Sequence, residues 1–121
     1  MPKNIQVPQR KFTVYTEKNL EKIPQLDRFS SSQVMAMKAV AQVLPFRVNE
    51  YVIDELIDWN RVPDDPMFQL TFPQAGMLQE GELNRVVSLL KQGADRDRIK
   101  SEARRIQLTL NPHPAGQKEL N

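Results

Sequence analysis

Proline limits what this chain can fold into. Nine of its 121 residues are proline. A proline ring removes a backbone donor and clashes with the preceding helical turn. The residue before it is also pushed toward extended backbone. Pro45, Pro63, Pro66, Pro73 and Pro112 therefore read as stops, and each helix must fit between them. Mean hydropathy is -0.55 and 40% of residues are hydrophobic. That balance fits short helices joined by irregular, proline-marked connections, and argues against a compact sheet protein.

The helical segments carry recognisable start and stop signals. Ser30 followed by Gln33 has the form of a capping box. Val34, Met37, Ala41 and Leu44 then share one face, with Val40 and Val43 extending it, until Pro45. A second helix is expected over Asn49–Asp58, where Val52, Ile53, Leu56 and Ile57 make a tight apolar face and Trp59 follows. Met67–Phe72 alternates, with Phe68, Leu70 and Phe72 on one side, and reads as a short extended segment. A third helix uses Leu83, Val86, Val87 and Leu90, with Gly93 at the position a C-terminal glycine takes. The fourth starts after Asp95, a natural N-cap, and aligns Ile99, Ala103, Ile106 and Leu110.

The ends are different. Residues 1–29 show little periodicity, and Pro2, Pro8 and Pro24 argue against a long helix. Only Phe12–Tyr15 suggests a short extended piece. This region reads as an extended N-terminal arm that needs another surface to order it. The expected class is thus mainly α: about four short helices in a small irregular helical domain over 30–110, an arm over 1–29, and a turn-rich segment over 111–121.

Composition excludes several classes of function. There is no cysteine, so disulfides, thiolate zinc sites and a cysteine-held cluster cannot form within these residues. No apolar run approaches the ~20 residues that span a bilayer. The first residues lack the apolar stretch of a secretory signal. A cytoplasmic chain without a membrane partner is the simple expectation. The net charge of +2 is too small to imply a polyanionic partner. Residues 50–65 are acidic, while 1–22 and 96–105 are basic, a pattern that permits pairing or plain solvated faces. Tyr51, Trp59, Phe68 and Phe72 lie among acidic neighbours, which repel phosphate, so no nucleic acid is expected.

No residue stands out as catalytic. Asp58, Asp64 and Asp65 could offer oxygens to a cation, but the spacing is not that of a calcium loop, and Asp-Asp-Pro is a common turn former. His113 is the only histidine and sits between two prolines, where a scaffold role is preferred. Phosphate-cradling glycine motifs and nucleophile–base arrangements are absent from the sequence.

Two long strings carry a resemblance. Leu44–Met77 reads LPFRVNEYVIDELIDWNRVPDDPMFQLTFPQAGM, and Leu110–Gln117 reads LNPHPAGQ. Both resemble the region before the catalytic barrel in the lysine 2,3-aminomutase-like radical SAM enzymes. The likeness runs from about Phe12 to Asn121. It implies a parent isomerase that uses a [4Fe–4S] cluster, S-adenosylmethionine and pyridoxal phosphate to move an amino group between neighbouring carbons of an amino acid. The family's CxxxCxxC motif and its Schiff-base lysine have no counterpart here, so no catalytic, cofactor-binding or metal-binding residue is carried over.

What the resemblance implies for these residues is a role. They would form an N-terminal segment, not catalytic alone, that packs on a partial β/α barrel or a neighbouring subunit. Val52, Leu56, Trp59, Phe68 and Phe72 would face that partner. Free lysine, glutamate and protein-bound lysine all remain open as the parent's substrate. A stand-alone helical protein-interaction module is the alternative. An end after LNPHPAGQKELN with no closing element fits a fragment of the larger enzyme.

Overall fold

The computed structural model describes residues 12–110. The expected turn at Asn111–Gln117, with His113, and the start of the arm, with Pro2 and Pro8, lie outside the described residues. Within them the protein is mainly helical. Strand β1 is Val14–Thr16 and strand β2 is Arg47–Asn49. They pair antiparallel, with Tyr15 opposite Val48. Helix α1 is Ser31–Val43, α2 is Pro66–Thr71, α3 is Glu80–Lys91 and α4 is Arg96–Leu110.

The caps act as the sequence suggests. Ser30 Oγ accepts the Gln33 N–H at 3.1 Å, and Gln33 Oε1 accepts the Ser30 N–H at 2.8 Å. These bonds satisfy two donors that a helix start otherwise leaves orphaned. Asp95 Oδ1 accepts the Arg98 N–H at 2.9 Å and starts α4. Gly93 has φ 71, a left-handed conformation that a side chain would oppose. Behind it the Ala94 N–H reaches Leu89 O at 3.0 Å and the Gly93 N–H reaches Leu90 O at 3.2 Å, closing α3 in a Schellman motif.

Helix α1 is the spine, because it is buried on two sides. Met37 and Ala41 join one apolar cluster, with Val34 packed at its edge. Ala39, Val40 and Val43 join a second, which α3 and α4 complete with Val86, Ala103 and Ile106. Leu44 packs on that second cluster and not with Val34 and Met37. Gln107 Nε2 donates to Val43 O at 2.6 Å, tying α4 to the end of α1.

Residues 12–29 are not an extended arm. After β1 the chain makes two 3-10 turns, Leu20–Lys22 and Pro24–Arg28. Three residues complete one such turn, so Leu20, Ile23 and Leu26 fall on one side. All three are buried in the cluster that holds Met37 and Phe68. The ordering surface is the chain's own core. Lys38 Nζ meets Glu21 Oε1 at 2.6 Å across this junction. That bond, with the charge of Lys38, holds the Glu21 carboxyl below its ordinary value.

Two further expectations are corrected. Residues Met67–Phe72 do not form an extended segment, because α2 takes Met67–Thr71 and Phe72 is its C-cap. Asp65 caps that helix and Pro66 occupies a first-turn position, where its missing N–H costs nothing. The second helix is shorter than Asn49–Asp58. Asn49 Oδ1 accepts the Val52 N–H at 3.0 Å, a π-helical turn follows over Val52–Leu56, and the Ile57 N–H closes on Val52 O.

Ile23 tests whether this segment belongs to the core. Ile23→Ala should lower unfolding free energy by about 2–5 kcal/mol in urea titration, the usual range for an emptied core site. A change within about 0.5 kcal/mol, typical of surface substitutions, would return residues 12–29 to the status of an arm.

Candidate functional site

The aromatic centre is built from α2 outward. Phe68 and Phe72 are four residues apart on one helix face and stack at 4.9 Å, with ring planes 14° apart. Both are only 1% exposed. Trp59 meets both edge-on, at 5.7 Å to Phe68 and 5.8 Å to Phe72. Phe29 stacks on the far side of Phe68 at 6.1 Å, and Phe46 leans on Phe72 at 5.4 Å. Edge-on and offset contacts at these separations add to simple area burial. The indole N–H of Trp59 donates to Ile53 O at 2.8 Å, so its one polar group is satisfied. Arg28 covers the outer ring face, its guanidinium carbon 5.5 Å from the centroid, and also donates to Trp59 O.

Asp65 holds this centre in register. It is 5% exposed, the only buried polar or charged residue among those described. Its Oδ2 accepts the Phe68 N–H at 2.9 Å, and its Oδ1 accepts the Asp58 N–H at 3.3 Å. One carboxylate therefore caps α2 and closes the loop that carries Trp59. The sequence pattern suggests a turn former at this position. The signal for the cap was Asp65 directly before Pro66, three residues before the next buried aromatic, Phe68.

Of the five residues expected to face a partner, two are unavailable to one. Phe68 and Phe72 are spent on the chain's own core. Their four-residue spacing on a helix, rather than alternation along a strand, turns both inward together. Val52 and Trp59 are half-buried at the edge of the same cluster. Only Leu56 is well exposed, at 42%. The residues that sequence reasoning missed are Leu70, 81% exposed, and Leu108, 67% exposed, together with Met77 and Leu110. These apolar side chains lie outside the core.

The acidic stretch accepts backbone N–H groups. Asp58 Oδ1 accepts the Asn60 N–H at 3.1 Å, and Glu50 Oε1 accepts the Thr13 N–H at 3.0 Å. No ion pair joins it to the basic stretch of α4 among the described residues. Arg105 instead meets Glu82 and Glu102, and those bonds raise its already high pKa. Among the described residues no group of three His, Cys, Asp or Glu side chains is placed to hold a metal ion. No described helix is long and apolar enough to cross a membrane. An apolar cleft of about 370 Å³ opens beside the centre, where Phe29, Met37, Pro63, Phe68 and Pro73 meet.

In comparison with known proteins, no family model, no curated protein and no solved structure matches the chain.

Replacing Asp65 should reveal its two roles. Asp65→Ala orphans two backbone donors and removes a helix cap, and should cost about 2–4 kcal/mol by chemical denaturation. Asp65→Asn keeps an acceptor for the cap and should recover a large part of that loss. Equal losses for both would show that the cap geometry is not what Asp65 supplies.

Proposed function

We propose that this chain is the N-terminal structural segment of an enzyme resembling lysine 2,3-aminomutase. On that reading it is not catalytic alone and acts in the cytoplasm. The parent would bind a [4Fe–4S] cluster, S-adenosylmethionine and pyridoxal phosphate on residues outside this chain. The segment would support the catalytic barrel, or a neighbouring subunit, and would bind neither nucleic acid nor membrane.

The observation that carries the reading is the length of the resembling strings, above all RVNEYVIDELIDW and DDPMFQLTFPQAGML. They contain Asn49, Asp58, Asp65, Phe68 and Phe72, the residues that cap the turns and stack the core. A resemblance concentrated on core-building residues fits a supporting role. Leu56, Leu70 and Leu108, which the domain's own core leaves exposed, are the natural contacts for a partner.

A stand-alone helical interaction module is the second reading. The internal burial of Phe68 and Phe72 favours it, because a domain that completes its own core needs no barrel to fold. The same exposed leucines would then meet a different protein.

The reading frame around this segment and the intact native mass separate the two. A chain several hundred residues long, with CxxxCxxC soon after Asn121, is the expected result. A native protein near 14.0 kDa would overturn the enzyme reading and leave the interaction module.

A further inference from the structure

We draw no further inference here: the strongest candidate, the apolar cleft of about 370 Å³ beside the aromatic centre where Phe29, Met37, Pro63, Phe68 and Pro73 meet, carries nothing, because nothing in the structure shows what covers it.

Discussion

The carboxylate of Asp65 is the point on which the structure turns. A charge removed from water is tolerable only where hydrogen bonds replace those it loses. Asp65 finds them at the N-terminus of α2 and at the Asp58 amide, seven residues back. The helix end also supplies a favourable field for a negative group. Those two bonds fix the start of a six-residue helix that would be too short to persist alone. Once α2 starts at Pro66, Phe68 and Phe72 must lie on one face, and their stack becomes the floor on which Trp59, Phe29 and Phe46 assemble. The order of dependence is cap, helix, ring stack, then core.

Much of the helical frame was legible, because it rests on signals that act within one turn. Ser30 with Gln33, Gly93 and Asp95 each settle a helix end by a local bond, whatever the rest of the chain does. Less legible was anything with an ambiguous period. Phe68, Leu70 and Phe72 satisfy an alternating strand and, with Leu70 left out, a helix face. The choice rested on Asp65-Pro66, which suits a turn as well as a cap. The 3-10 segment failed for a different reason. Leu20, Ile23 and Leu26 repeat every three residues, a period absent from both strand and α-helix patterns, and Pro24 discouraged any helical reading. The aromatic residues were legible as anchors. What they anchor to was not, since partner-facing and core-facing rings look alike in sequence and only burial separates them.

That separation changes how the surface should be viewed. The strongest sequence features were spent on making a self-supporting unit, in which residues 12–29 and α1 share one cluster with the aromatic centre. The apolar residues left exposed include Leu56, Leu70, Met77, Leu108 and Leu110, which carry no chemistry of their own. Among the described residues the polar groups are similarly occupied with structure: Asn49, Asp58, Asp65 and Asp95 all accept backbone N–H groups. The acids serve as caps and the rings as filling.

The central claim is that the aromatic centre is internal to this chain and completes its core without help. Trp59 is the only tryptophan, and it touches both Phe68 and Phe72, so its fluorescence reports on that centre directly. The decisive measurement is urea unfolding of the isolated 121-residue chain, followed by Trp59 emission and by far-UV circular dichroism. The account predicts one cooperative transition that coincides in both signals, as a small two-state domain shows. A tryptophan already emitting as in water before urea is added, or two signals that drift apart without a shared midpoint, would contradict it.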